Sequence, residues 1–384
     1  MSPLPLQGIK VLDLSHLLPG PLCTLMLSDL GAEVLKIERG PHGDFNRLIP
    51  PFYYQHLSTY FMMLNRNKKT RILNLKSEKE KKVFLKLVKE ADIVVENFRP
   101  GALAKLGLDY KTLSRINPKL IYCAISGYGQ QGPWRNMAGH DLNYIALTGI
   151  LETAGFRGQK PPMLSTQLAD IVGGSLLPTI SILAALEHRR KTHKGMFIDS
   201  AMMPATMVLL MMVLGKFFLT GEEPYQEEDR MTGRYPNYAL YQTKDKRAMA
   251  LAAIEAKFWY RFCELIHKEE FKSWVPLTDA PGFPTASLAN ASDQKLKRMK
   301  RKLGLVFKTK TQKEWIRLFK SEPDVCCTPV NNFKEALELL TFLGRKDFFM
   351  LKNTKGQAIP QMLFPFGNSS LHRKKHTFPP RLDK

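Results

Sequence analysis

The residues with the clearest chemical potential are a histidine and an aspartate in the middle of the chain. The segment Ala138-Gly-His-Asp141 places His140 beside Asp141 where a helix is predicted to begin. The first turn of a helix offers free backbone amides and partial positive charge, which can stabilise an oxyanion that develops during a reaction. Taken singly, Asp141 is more typical of an N-cap, and His140 is more typical of a structural histidine.

Two further acids extend this candidate site. Asp170 opens the next apolar helix, and Glu255 closes the apolar strand segment Ala252-Ala-Ile-Glu255. The aspartate could be only another helix cap, whereas the glutamate has no evident structural role. An acid/base site and a set of unrelated local features both fit this spacing.

Basic residues follow successive predicted strands. The strands predicted to end at 37, 75 and 96 are each followed by a cation; these residues are Arg39, Lys76, Arg99 and, slightly further on, Lys105. Ligands of open α/β sheets bind beyond the carboxyl ends of the strands. Since Arg and Lys are the usual phosphate donors, the pattern predicts a site for several phosphates. Each residue alone could equally be a solvated loop charge.

Two other motifs are weaker. A literal G-x-G-x-x-G stands at 127–132, but the next helical pattern starts only near Asp141, which disfavours a nicotinamide dinucleotide site and favours a glycine-rich loop beside a ligand. The basic run Lys295–Lys302 has no interleaved aromatic residues, so a solvated helix face is favoured over a nucleic-acid patch.

Composition is that of an ordinary globular protein with one unusual feature. Of the 384 residues, 44% are hydrophobic and 24% charged, which excludes disordered, collagenous and disulfide-scaffold chains. Lys and Arg number 57 against 35 Asp and Glu, a net charge of +22 that indicates phosphate-bearing partners. Five cysteines without C-x-x-C spacing predict neither a zinc site nor a disulfide framework. With no signal-peptide pattern at the start, we expect a cytoplasmic protein.

The longest apolar stretch, Ser200–Gly215, is shorter than the ~20 residues of a membrane-spanning helix and contains Pro204. We therefore expect a buried helix there and no membrane span. Its methionines, between Met202 and Met212, are expected in the core, with an adaptable surface for an acyl chain as the alternative.

The order of predicted elements indicates an α/β fold. Strands and helices alternate through the first third of the chain, as in a mostly parallel sheet covered on both faces. The middle is helical. The acidic, irregular segment 220–234 is interpreted as a linker, and a second small domain is expected to begin at Tyr235 with a strand pair followed by helices. A capping box at Thr311-Gln-Lys-Glu314 predicts the start of one of these helices.

The sequence resembles the family III CoA-transferases (the CaiB/BaiF superfamily), and within them the α-methylacyl-CoA racemase branch. The resemblance covers nearly the whole chain. It rests on an ordered series of segments: 6–14, 19–21, 29–39, 97–101, 106–108, 126–133, 139–144, 195–199, 253–255 and 324–330.

The resemblance implies a Rossmann-like large domain built from both ends of the chain, with a smaller α+β domain between them. The implied boundaries are 1–200 for the first part of the large, CoA-binding domain, 201–234 for a helix and linker, 235–320 for the small domain, and 321–384 for the return to the large domain. It also implies an interlocked homodimer whose active site lies where one subunit's large domain meets the other's small domain. The residues implied to bind coenzyme A, as part of the substrate, are Arg39, Leu73, Asn74, Leu75, Lys76, Asn97, Phe98, Arg99, Lys105, Gly139, His140, Asp141, Leu142, Asn143 and Tyr144.

The racemase branch implies roles for the four candidate catalytic residues. His140 and Asp170 would be the acid/base pair on opposite faces of a 2-methylacyl-CoA thioester, and Glu255 would orient or tune the histidine. Amides near Asp141 would stabilise the enolate oxygen. The segment 232–238 departs from the racemases through Arg234, and the chain ends short of the family's usual final helix.

Three functions therefore remain in view. The first is racemisation by 1,1-proton transfer through an enolate, with no metal and no tightly bound cofactor. The second is CoA transfer between carboxylic acids, with Asp141 as the nucleophile. The third, remote alternative is nucleic-acid binding, which would explain the net charge of +22 without any chemistry; we expect acyl-CoA and a second copy of the chain as partners, and no nucleic acid.

Overall fold

The computed structural model describes residues 3–53, 57–229, 232–275, 288, 291–345, 347–364, 366, 371 and 375–382. Internal contacts divide the chain into two compact units. The first unit comprises Met1–Gly149, Leu164–Leu209 and Gly344–Lys384, and the second comprises Ile150–Met163 and Leu210–Leu343. Ile150–Met163 and residues 321–343, which the expected boundaries assign to the large domain, lie in the second unit by this division.

The first unit contains eight strands before residue 202 in the described ranges: β1 (Lys10–Asp13), β2 (Glu33–Glu38), β3 (Phe52–Tyr53), β4 (Leu57–Ser58), β5 (Lys69–Ile72), β6 (Ile93–Glu96), β7 (Ile121–Ser126) and β8 (Phe197–Ala201). Six of them form one sheet in the order β5-β2-β1-β6-β7-β8. All its pairs are parallel. This is the strand order of a Rossmann fold, and the order reverses direction between β1 and β6. The predicted fold class is confirmed.

Helices of the first unit connect and cover these strands. They are α1 (Pro19–Asp29), α2 (Thr59–Leu64), α3 (Glu78–Glu90), α4 (Tyr110–Ile116), α5 (Asp141–Leu147), a π-helical segment (Ala169–Leu176), α7 (Leu177–Thr192) and α8 (Met202–Thr206). The sequence pattern of α3 explains its placement: Phe84 and Val88 lie four residues apart on one face and are fully buried against the sheet, while its charged residues face outward. A β-hairpin near the C-terminus, β12 (Phe348–Lys352) with β13 (Ala358–Met362), completes the unit.

The second unit begins with α6 (Ile150–Thr153) and resumes with α9 (Met211–Thr220). Its sheet pairs β9 (Tyr238–Gln242) and β11 (Cys327–Pro329) with the two edges of β10 (Ala248–Ala252), both antiparallel. Helices α10 (Ala256–Leu265), α11 (Asp293–Phe307), α12 (Gln312–Phe319) and α13 (Phe333–Phe342) follow. An aromatic core that includes Trp259, Phe307 and Trp315 joins the first three of these helices. The predicted capping box is present, since Thr311 and Glu314 exchange hydrogen bonds.

The burial of the long apolar segments in the middle of the chain differs from expectation. Ala169–Thr192 and Met202–Thr220 are long and apolar enough to cross a membrane by length and composition, a test that core helices of globular proteins also pass. The prediction of a buried helix is wrong for the second stretch, because only 17% of its apolar window is buried. Met211 and Met212 are 65% and 75% exposed, so these methionines are not core residues within this chain.

Candidate functional site

The loops that follow β1 and β6, where the strand order of the large sheet reverses, are hydrogen-bonded to each other. Asn97, after β6, accepts a hydrogen bond from the backbone N–H of His16, after β1, at 2.9 Å and donates one to the His16 carbonyl at 2.8 Å. The imidazole of His16 packs edge-on against Phe98. Ligands of this fold bind in the crevice at this point, so the pair of loops forms its wall. Sequence reasoning named Asn97 and missed His16, which lies beyond β1 at the same edge of the sheet.

A buried cluster of charges holds these loops in place. Lys36 donates to the Ser15 carbonyl at 2.6 Å and forms an ion pair with Asp44 at 3.0 Å. Lys68 forms an ion pair with Asp13 at 3.1 Å. Despite the opposing effect of burial, the two lysines hold the pKa of Asp13 far below its usual range. The cluster fixes the backbone that follows β1 because each buried charge needs its partner.

The cations predicted to bind phosphates lie at the carboxyl edge of the sheet. Arg39 directly follows β2, and Lys76 follows β5, its hydrogen-bonded neighbour. Arg99 and Lys105 follow β6. All four side chains are exposed, and no carboxylate lies within ion-pair distance of them among the residues with described positions. By contrast, nearby Arg47 is bound to Glu38 by two hydrogen bonds and is unavailable to a ligand.

The glycine-rich segment 127–132 forms a turn in the structure. Gly129 and Gly132 have φ of +96° and +86°, and the next helix is α5 at Asp141. The Gly129 N–H donates to Ser126 and the Gln130 N–H to Asp199. These amides are satisfied within the protein, so they do not form the helix N-terminus that a dinucleotide pyrophosphate requires. The interpretation as a loop beside the site agrees with this geometry.

Tyr144 anchors the segment that carries His140. Its hydroxyl donates to the Gly139 carbonyl at 2.7 Å, and its ring lies so close to Gly127 and Gly139 that a Cβ at either position would come within 2.7 Å of it. His140 is the N-cap of α5, and Asn143 accepts its backbone N–H at 3.1 Å. These contacts fix the backbone of His140 while its side chain remains exposed.

Asp141 connects His140 to Asp170. The prediction of Asp141 as an N-cap of its own helix is wrong: it is the first residue of α5, and its Oδ1 accepts the backbone N–H groups of Ala169 at 2.7 Å and Asp170 at 3.1 Å. The carboxylate thereby caps the start of the π-helical segment, where free amides favour an anion. Since Asp170 lies inside that segment after an N-cap at Leu168, it is not a cap either.

Close packing places the π-helical segment. A Cβ at Gly173 would lie 2.4 Å from the Met202 carbonyl oxygen, and one at Gly174 would lie 2.5 Å from Pro19 Cβ. Ser175 donates from its hydroxyl to the Pro19 carbonyl at 2.7 Å. π-helical turns of this kind are frequent at functional sites. The adjacent glycines allow the segment to approach α1 and α8, and this approach fixes Asp170.

The electrostatic environment of the two aspartates is unusual. Burial, together with the smaller effect of the negative charge of Asp141, raises the pKa of Asp170 to about 7. Burial also raises the pKa of Asp141, against the effect of its two backbone hydrogen bonds. No group described in the structure hydrogen-bonds the Asp170 carboxyl. At neutral pH, this carboxyl can therefore both accept and donate a proton.

The fourth candidate, Glu255, belongs to the second unit. It is exposed and directly precedes α10 as its N-cap residue, without a side-chain hydrogen bond to the helix. The structure thus brings His140, Asp141 and Asp170 together within the first unit, and it describes Glu255 within the second unit. Across the described ranges, no cluster of three His, Cys, Asp or Glu side chains suits a metal ion.

The arrangement in the first unit defines a class of enzyme. Free cations at the carboxyl edge of a Rossmann-ordered sheet suit a substrate that bears phosphates. An exposed histidine beside a carboxyl that titrates near neutrality suits proton transfer or attack on an acyl group.

Comparison with known proteins identifies the family. The profile of CoA-transferase family III matches residues 6–384, and the chain belongs to this family. It is 35% identical to alpha-methylacyl-CoA racemase from Homo sapiens, over 86% of this chain and 79% of that protein. It is 32% identical to succinyl-CoA:glutarate CoA-transferase from the same organism, over 86% and 72%. A CAIB/BAIF family protein from Brucella suis has a similar structure, with a TM-score of 0.80 at 28% identity, over 99% of this chain and 97% of that chain.

Proposed function

We propose that this protein is a racemase that inverts the α-carbon of 2-methylacyl-CoA thioesters by 1,1-proton transfer. The observation that carries the proposal is the hydrogen bond from the Asp170 backbone N–H to Asp141, at 3.1 Å, which brings Asp170 beside the residue that follows His140. Inversion requires one group that removes the α-proton and a second group that returns a proton to the opposite face. The similarity to a racemase over most of the chain also supports it.

The proposed reaction proceeds in two steps. One group of the pair His140 and Asp170 removes the α-proton, and the electron pair of the broken C–H bond moves into the thioester as an enolate. The other group then donates a proton to the opposite face of the same carbon. The first-turn amides of α5, at Asp141 and Leu142, have no intrahelical acceptor and would stabilise the enolate oxygen. Because the Asp170 carboxyl has a pKa of about 7, it can serve as the base in one direction and the acid in the other.

Coenzyme A would bind along the carboxyl edge of the sheet. Arg39 and Lys76 would contact phosphates from β2 and β5, and Arg99 and Lys105 from the loop after β6. Exposed, unpaired guanidinium and ammonium groups bind phosphate oxygens by charge-assisted hydrogen bonds. The segment 139–144 would line the path from this edge to the thioester, together with 73–75, Asn97 and Phe98.

A homodimer forms part of the proposal. In α9, Phe218 and Leu219 are 79% and 87% exposed, and in α13 Phe333 and Phe342 are 89% and 78% exposed. Large apolar side chains at this exposure are typical of surfaces that another subunit covers. Glu255 keeps its proposed role of orienting and tuning His140. Glu255→Gln should therefore alter the pH dependence of the reaction and leave the fold intact.

CoA transfer is the second candidate, favoured by the 32% identity to a succinyl-CoA:glutarate CoA-transferase. The geometry disfavours Asp141 as its nucleophile, because this residue is only 9% exposed and its Oδ1 accepts two backbone hydrogen bonds. For such a reaction, Asp170 is the better-placed carboxylate, since its carboxyl is free of hydrogen bonds among the residues described.

Incubation with one epimer of a 2-methylacyl-CoA in deuterated water distinguishes the two functions. A racemase incorporates deuterium at the α-carbon and yields both epimers without any acceptor acid. Movement of CoA to an added carboxylic acid, with no deuterium incorporation, would establish the transferase instead. The presence of neither reaction would overturn the proposal.

A further inference from the structure

The excess positive charge of the second unit is concentrated in one short segment. Between Asp293 and Lys320 the sequence has eleven Lys and Arg residues and two acidic residues, a net charge of +9. The rest of that unit, by contrast, has 13 basic and 16 acidic residues, a net charge of −3. If the positive charge served only solubility, we would expect basic residues to be distributed over the whole unit. The charge is therefore local to this segment, and we call its exposed side the basic face.

Helix α11 has one buried side and one exposed side. Leu296, Met299, Leu303 and Phe307 follow helical spacing and are buried in the aromatic core. The opposite side is exposed and, with the following loop and α12, carries ten cations. These are Lys295, Lys297, Arg298, Arg301, Lys302, Lys308, Lys310, Lys313, Arg317 and Lys320.

The cations of the basic face are not neutralised by neighbouring acids. Of the two acidic residues in the segment, Asp293 pairs with Arg234 at 2.8 Å, and Glu314 accepts hydrogen bonds from Thr311 in the capping box. Lys300, the remaining cation of α11, pairs with Glu227 and lies at the flank. Throughout the described part of the chain, no carboxylate comes within ion-pair distance of the ten exposed cations.

Two aliphatic side chains lie among these cations. Leu305 is 62% exposed on the outer side of α11, and Ile316 is 38% exposed on α12. The tryptophan of the segment, Trp315, is buried, so the basic face offers no aromatic ring for base stacking. Aliphatic side chains between cations gain free energy at the boundary of lipid headgroups and acyl chains, and they gain little against nucleic-acid phosphates.

We propose that the basic face docks the protein on membranes rich in anionic phospholipids. Clusters of Lys and Arg on an amphipathic helix bind such surfaces by electrostatic attraction. Here the apolar side of the helix is used in the protein core, so binding is peripheral and rests on the cations, with Leu305 entering the interface. The inference stands independently of the proposed racemase activity, since it uses none of the residues of the candidate site.

Co-sedimentation of the full chain with vesicles tests the proposal. Vesicles of phosphatidylserine and phosphatidylcholine in about a 1:2 ratio should bind the protein, and vesicles of phosphatidylcholine alone should not. Binding should fall when salt is raised from about 50 mM to about 500 mM. The variant Arg298→Gln/Arg301→Gln/Lys302→Gln should weaken partitioning into anionic vesicles by about 100-fold.

A matched control comes from α3. Lys79→Gln/Lys82→Gln/Lys86→Gln removes the same charge from exposed positions of another helix and should leave vesicle binding nearly unchanged. Leu305→Ser retains every charge and should weaken vesicle binding without changing retention on duplex DNA. The proposal is overturned if wild-type protein ignores anionic vesicles, if both triple variants lose binding equally, or if duplex DNA displaces the vesicles while Leu305→Ser binds them normally.

Discussion

Asp141 accepts the backbone N–H of Asp170 at 3.1 Å, so that one carboxylate positions and electrostatically tunes the other. The Asp170 carboxyl is partly desolvated and faces the charge of Asp141, and both effects favour its protonated form. This relationship explains why two acids 29 residues apart in sequence act as a unit, and it gives Asp141 a positioning role that does not require it to react.

Replacement of Asp141 tests this positioning role. Asp141→Asn keeps an oxygen that can accept the two backbone hydrogen bonds but removes the negative charge. The pKa of Asp170 should then fall from about 7 toward the ordinary aspartate value, because less repulsion opposes its ionisation. The pH dependence of α-deuterium incorporation should shift to lower pH. A pH profile identical to that of the wild type would contradict the coupling of the two groups.

Single replacements of the acid/base pair should separate the two faces of the substrate. In Asp170→Asn, His140 can still exchange the α-proton of one epimer, and in His140→Gln, Asp170 can still exchange that of the other. Interconversion of epimers should fall by about 10²- to 10⁴-fold in both variants. Mass spectrometry of each epimer incubated in deuterated water measures the residual exchange. Equal residual exchange of both epimers in either variant would argue against a pair of opposed groups.

The buried charge cluster beneath the loop after β1 should be important for stability. Asp13→Asn leaves Lys68 without its buried counterion, whereas Lys36 keeps Asp44, and should lower the free energy of unfolding by about 3–5 kcal/mol. Because the folded-state pKa of Asp13 is depressed, its contribution is present at neutral pH and is lost only as the pH falls below the usual range of aspartate. Urea unfolding at neutral and acidic pH measures both effects. Glu90→Gln, which breaks the exposed pair of Glu90 with Lys10, is the control and should have a much smaller effect.

Gly173 should tolerate no side chain. In Gly173→Ala, the new Cβ would lie 2.4 Å from the backbone oxygen of Met202, and the segment that carries Asp170 would have to move. We expect a loss of about 1–3 kcal/mol in the free energy of unfolding, with a lower kcat. Gly215→Ala is the matched control, since nothing lies within 4 Å of its Cβ position in α9. That change should raise stability by about 0.5–1 kcal/mol through helix propensity.

Arg39, the cation after β2, should contact the phosphates of the substrate and should not take part in the reaction. Arg39→Gln should raise KM for the acyl-CoA by about tenfold and leave kcat nearly unchanged, because a charge-assisted hydrogen bond would be lost. With an acyl-pantetheine substrate, which has no phosphates, the variant and the wild type should have the same KM. Arg115→Gln removes another exposed charge, near the end of α4, and should change neither value.

The architecture of this protein could be predicted from local sequence. Short apolar strands alternating with amphipathic helices such as α3 indicated a parallel sheet, since hydrophobic period and cap residues are properties of neighbouring residues. The same rule placed Arg39, Lys76 and Arg99 at one edge. Other features could not be predicted from neighbouring residues because they are long-range. The hydrogen bonds between His16 and Asn97 join residues 81 positions apart, and the exposure of Met211 and Met212 depends on which surfaces remain uncovered after folding.

The sequence by itself determined the residue types of the site: a histidine next to an acid, a second acid after an apolar segment, and cations after strands. Tertiary structure alone decided what Asp141 does. Spacing suggested a cap for its own helix, but the fold brings the start of the π-helical segment within 2.7 Å of its carboxylate. The physical reason is that the amides at 169 and 170 need an acceptor once α1, α8 and the Gly173-Gly174 pair have drawn that segment into the core. Such a contact depends on packing in three dimensions, which spacing along the chain does not record.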